Sequence, residues 1–108
     1  MRVAHIVSTY PPYRGGMGNV AAELVKRLRK RGHTCMVLTP DYGTIRSAVE
    51  DVQRIRPWFT IGNGAFMPNV YSHLHSFDVL HLHYPFFGAA ETVAYFASRY
   101  PRARLIDT

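Results

Sequence analysis

Two short runs of β-branched and apolar residues, RVAHIVST at 2–9 and TCMVLT at 34–39, bracket a single segment whose apolar positions return at helical spacing. Such an order folds as strand, helix, strand, and a crossover through one helix makes the two strands parallel and the connection right-handed. In the central segment Val20, Leu24 and Leu28 recur with Ala21 and Val25 beside them, while Glu23, Lys26, Arg27, Lys30 and Arg31 lie off that stripe. Asn19 is placed to cap its start, Glu23 suits the positive end, Arg29 to Arg31 suit the negative end, and Gly32 closes it. Pro40, followed by Asp41-Tyr42-Gly43, stops the second strand. Further along, 52–55, 78–83 and 104–107 read as strands and 70–77 and 88–100 as helices; 57–67, rich in Gly, Pro and aromatics, has no period from which to assign a backbone. The class is therefore α/β, a parallel sheet with helices on both faces. In such sheets ligands sit beyond the carboxyl ends of the strands where the strand order reverses. Here that place lies between the first strand and the one ending at His83, so Tyr10 to Asn19 and His83 to Phe87 should converge.

A chain of 108 residues is one domain or part of one, and 47 % hydrophobic with 19 % charged residues gives it a core rather than a disordered tail. Thirteen Lys and Arg against seven Asp and Glu leave a net charge of +6, which favours anionic partners. One cysteine, Cys35, excludes an internal disulfide and a cysteine-built zinc site and makes a reducing, cytoplasmic setting the natural expectation. His5 and Pro11-Pro12 interrupt the first apolar run too early for a signal peptide or a membrane span. The run Lys26-Arg27-Leu28-Arg29-Lys30-Arg31 reads first as a solvated helix face and second as a patch for anionic lipid at the inner membrane face. Nucleic acid is not expected as a partner, because Tyr10, Tyr13, Tyr84, Phe86 and Phe87 cluster in turns instead of alternating with basic residues.

The loop PPYRGGMGN at 11–19 leads into a helix start, and its glycines let backbone N–H groups approach an anion that the helix dipole also favours; the bland alternative is a glycine turn without a ligand. Gly16 to Ala21 also fits the G-x-G-x-x-A dinucleotide pattern, with Asp41 twenty residues on. That pattern should open directly off the strand, whereas two prolines and further residues intervene here. His81 and His83, two apart on a strand, point to one face as a metal pair would, but no third ligand is evident, so no metal or other cofactor is expected. Of the two, His83 at the strand end is the functional candidate and His81 the core candidate. His73 and His75, two apart in a helical stretch, form no pair.

The stretches MRVAHIVSTYPPYRGGMGNVAAELVKRLRKRGHTCMVLTP and DVLHLHYPFFGAAETVAYFASRYPRARLIDT resemble the N-terminal domain of glycosyltransferase family 4. The double proline, the paired glycines and the HxHYPF segment occur in order at the ends of the expected strands. The resemblance implies a Rossmann-like N-terminal domain of a GT-B fold, acting with a second domain to transfer a sugar, with retention, from a nucleotide-sugar donor to a glycan or lipid-linked acceptor. It places Gly15 and Gly16 against the donor diphosphate and Asn19, His83 and Tyr84 along the acceptor cleft. In the family an active-site His follows the strand similar to Arg104 to Thr108, and the nucleotide and an E-x7-E carboxylate pair belong to the second domain; neither lies within these 108 residues, so no catalytic residue is assigned. The expectation is an N-terminal piece, incomplete at its C-terminal end and inactive alone, whose open edge near Leu105 and Ile106 favours self-association. A small phosphate- or nucleotide-binding module without catalysis is the alternative.

Overall fold

A computed structural model describes residues 1–8, 16–41, 52–61, 64–83 and 86–107. Its elements in chain order are β1 (Arg2–Ile6), α1 (Gly16–Lys30), β2 (Thr34–Pro40), β3 (Val52–Ile55), β4 (Phe59–Ile61), β5 (Gly64–Phe66), a 3-10 turn (Pro68–His73), β6 (Val79–Leu82), α2 (Ala90–Arg99) and β7 (Arg104–Asp107). Five strands form one parallel sheet in the order β3-β2-β1-β6-β7, so the order reverses between β1 and β6, where the sequence had placed it.

Alternate residues of each strand serve opposite faces. Ala4, Ile6, Leu38, Leu80 and Leu82 join Val93 and Phe96 of α2 in one core, which also takes Met67, Val70, Leu74, Phe86 and Ala89. Val3, Val7, Cys35, Val37 and Val79 join Ala21 and Val25 of α1 in the other. Full burial of a side chain the size of Ile6 or Phe96 contributes roughly 1.5–3 kcal/mol.

Helix α1 departs from its expected form at its start and on its buried face. It begins at Gly16, so Asn19 is an exposed residue of the first turn and not the cap. The sheet receives Gly18, Ala21 and Val25, with Leu28 partly buried, while Val20 is 60 % exposed. Small residues at the contact let the helix lie close to the strands, which turns the bulkier Val20 and Leu24 aside. Its end is as expected. Gly32, at φ +89°, donates its N–H to Arg29 O and the His33 N–H donates to Leu28 O, closing a Schellman motif behind Arg27, Arg29 and Lys30.

Segment 57–67, left without a backbone by the sequence, contains an antiparallel hairpin in which Phe59 pairs with Phe66 and Ile61 with Gly64. The hairpin is tied to the segment after β6 by backbone bonds: Ala65 N–H donates to Phe87 O at 3.0 Å and Met67 N–H to Gly88 O at 3.2 Å. Gly88 has φ +98°, and a Cβ there would stand 2.6 Å from the Ala65 carbonyl carbon, so only glycine fits. Where a helix over 70–77 was expected, a 3-10 turn starts on Pro68, whose fixed φ suits that first position, and ends at His73.

Candidate functional site at the strand-order reversal

At the reversal the parallel register sets His5 opposite His81, and His83 follows two residues on with the same facing. The three rings meet on the α1 face of the sheet. His5 is fully buried and its Nδ1 lies 3.3 Å from His83 Nε2, a hydrogen bond in which one ring donates to the other. The His81 and His83 rings stack with centroids 4.3 Å apart and planes 7° from parallel, and the His5 and His81 centroids are 5.2 Å apart. His5 Nε2 is buried with no hydrogen-bond partner among the described residues.

Burial keeps all three rings neutral. It pushes His5 down to about 3, helped by His81, His83 and the Arg29 guanidinium, and His83 down to about 4, helped by His81. His81 is lowered by burial as well, against the pull of the Asp107 carboxylate. Neutral imidazole is the form that accepts a hydrogen bond or ligates a metal.

The structure buries the two in the opposite order to the one their strand positions suggest: His83 is 2 % exposed and His81 is half-buried. The His83 N–H donates to Ile6 O, which extends the ladder past β6 and holds the residue over the sheet. His5 is the member that sequence reasoning missed. No sequence signal joined it to them, because which residues of β1 and β6 share a face is set by the strand register. His73 lies in the 3-10 turn, and His75 packs edge-on against Phe96 and Tyr100 at the far side of the sheet.

Of the other expected site residues, Gly15 and Tyr84 lie outside the described residues. Gly16 is the first residue of α1, whose first turn holds no acidic side chain to neutralise its N–H groups. Asn19 lines a shallow depression with Val20, Glu23, Leu24 and Arg27. The dinucleotide pattern is not supported: its glycines Gly16 and Gly18 fall inside α1, well after β1 ends at Ile6, instead of forming the turn off the strand. Beside the reversal, exposed Trp58, Phe59, Phe66 and Phe87 form an aromatic surface in which Phe59 stacks on Phe66 at 5.0 Å.

Comparison with known proteins decides the family. The sequence profile of Glycosyltransferase Family 4 matches residues 14–108. The chain belongs to glycosyltransferase family 4. Its parallel sheet with helices on both faces is the Rossmann-like fold expected of the N-terminal domain of a GT-B protein. It is similar to a glycogen synthase of Clostridium botulinum, with 33 % identity over 66 residues, covering 59 % of this chain and 14 % of that one. It is 39 % identical over 59 residues to a glycogen synthase of Anaeromyxobacter, covering 53 % of this chain and 12 % of the relative. Granule-bound starch synthase 2 of Pisum sativum is 28 % identical over 85 residues, 79 % of this chain and 11 % of the plant protein. The matches thus span only 11 % to 14 % of these relatives. Among the described residues no helix is long and apolar enough to cross a membrane.

Proposed function

We propose that residues 1–108 form the acceptor-side part of a retaining glycosyltransferase that moves a sugar from a nucleotide-sugar donor to a glycan or lipid-linked acceptor. The observation that carries this reading is the family match over 14–108 combined with a strand-order reversal at β1 and β6, the crevice where open α/β sheets bind ligands. The Gly15-Gly16 segment and the N–H groups opening α1 meet the donor diphosphate, an anion drawn by the positive helix end, whose first turn carries no acidic side chain. Asn19, His83 and Tyr84 border the acceptor, His83 from beneath, with its imidazole turned onto His5. The nucleotide and the catalytic carboxylates come from a second domain, so this part alone does not transfer sugar. The apolar edge at β7, where Ile106 is 46 % exposed, fits a covering partner: more of the same protein, or a second copy when residues 1–108 stand alone. The basic end of α1 offers Arg27, Arg29 and Lys30 to an anionic membrane surface.

The test is transfer by the protein encoded by the whole reading frame, assayed with uridine and adenosine diphosphate sugars on glucan and lipid-linked acceptors. Sugar transfer with retained anomeric configuration is expected. Gly16→Glu sets a carboxylate against the diphosphate at the start of α1, so donor KM should rise at least ~10-fold in a variant whose circular dichroism spectrum matches the wild type. Phosphate or nucleotide binding without any transfer would favour the non-catalytic module.

A further inference from the structure

We propose that His5, His81 and His83 form a three-imidazole site for a divalent first-row transition-metal ion, with Zn²⁺ the reference case. The proposal is independent of the transferase reading. It rests first on placement: two adjacent parallel strands bring the three side chains to one face, and one potential ligand atom from each lies within 4.8 Å of the others. The spacing is quantitative as well. With Zn–N bonds of about 2.0–2.1 Å, two nitrogens of a tetrahedral site stand about 3.3–3.4 Å apart. His5 Nδ1 and His83 Nε2 already stand 3.3 Å apart. One edge of the tetrahedron is therefore already spanned by these two side chains, and a turn of the half-buried His81 ring brings the third nitrogen inward. With Nδ1 of His5 on the metal, the ring proton resides on Nε2.

The donor set selects the metal. Imidazole nitrogens suit zinc, copper and nickel, whereas magnesium and calcium want oxygen. Burial supplies the neutral rings that ligation requires, so little proton release accompanies binding at pH 7. Two fixed charges act on the cluster: the Arg29 guanidinium, which opposes a cation, and the Asp107 carboxylate beside His81, which favours one. Arg29 is drawn aside by donating to Cys35 O at 3.1 Å. Three protein ligands leave a fourth position, on the side of His81, the least buried of the rings.

The experiment uses the full-length protein stripped with a chelator and titrated with Zn²⁺ alone and, separately, Co²⁺ alone, read by calorimetry, thermal unfolding and visible absorption. One equivalent of Zn²⁺ should bind and raise Tm, Co²⁺ should give the visible bands of a four-coordinate nitrogen site, and Mg²⁺ should do neither. His81→Ala, at a half-buried position, should weaken Zn²⁺ binding by at least ~100-fold with an unchanged circular dichroism spectrum. His83→Gln provides a second variant with similar volume and should lose the Co²⁺ bands. Failure of the stripped protein to bind Zn²⁺, or equal affinity in the wild type and His81→Ala, overturns the proposal and leaves a hydrogen-bonded histidine stack.

Discussion

The two faces of the sheet are cut from the same strands, yet they are built to different ends. On the α2 side, β1 and β6 present Ala4, Ile6, Leu80 and Leu82 to a cluster of apolar and aromatic side chains that includes Met67, Val70, Leu74, Val93 and Phe96. On the α1 side, the same strands present Val3 and Val79 at one end and His5, His81 and His83 toward the other. A buried imidazole forgoes the favourable transfer of a Leu and demands hydrogen-bond partners, so three of them together weaken the fold where they sit. These imidazoles lie at the carboxyl ends of the strands where the order reverses, the face on which the proposed site and the proposed metal centre are built; the other face is the apolar core.

The comparison can be broken most severely on the α2 side. Phe96→Ala removes a ring buried against Tyr71, His75 and Tyr100 and should cost about 3–5 kcal/mol in denaturant unfolding. Gly88→Ala forces a Cβ into the Ala65 backbone at a positive φ, and a loss of about 2–4 kcal/mol should appear in the same measurement.

On the α1 side the sharpening variable is pH, studied with chelator present so that the rings are bare. The folded-state values of His5 and His83 lie below the ordinary 6.5, so the unfolded chain takes up protons first as pH falls. Stability should be level above pH 6.5 and decline below it by up to about 1.4 kcal/mol per pH unit for each ring held neutral, until about 4 for His83 and 3 for His5. The double variant His5→Leu with His83→Leu should flatten that decline; a profile as steep as the wild type would mean that the acid sensitivity lies elsewhere. The smallest effect is expected at Gly32→Ala, remote from both cores, where open space surrounds the Cβ and only the left-handed backbone is penalised, by about 1 kcal/mol.

What the sequence disclosed follows from how local each signal is. The strands at 52–55 and 104–107 match residue for residue, and the reversal between β1 and β6 was legible because alternating runs leave few topologies. Strands of three residues are too short to show a period, so the β4–β5 hairpin went unassigned. In α1 the apolar stripe was drawn through the largest side chains, while packing chose Gly18 and Ala21 because they admit the helix to the sheet. The His5–His83 contact joins residues 78 apart, and neither residue announces the other until strand register is known. The same register put His83 under cover and left His81 the more open.

The hairpin beside the reversal has one more consequence. Its described ties to the segment after β6 run through the main-chain atoms of Ala65, Met67, Phe87 and Gly88, and a Cβ at Gly88 would clash with the Ala65 backbone. Trp58, Phe59 and Phe66, which lie exposed and touch one another through their rings, can therefore change without breaking those main-chain ties. A descendant lineage can retune what this rim touches one residue at a time, provided it inherits the glycine.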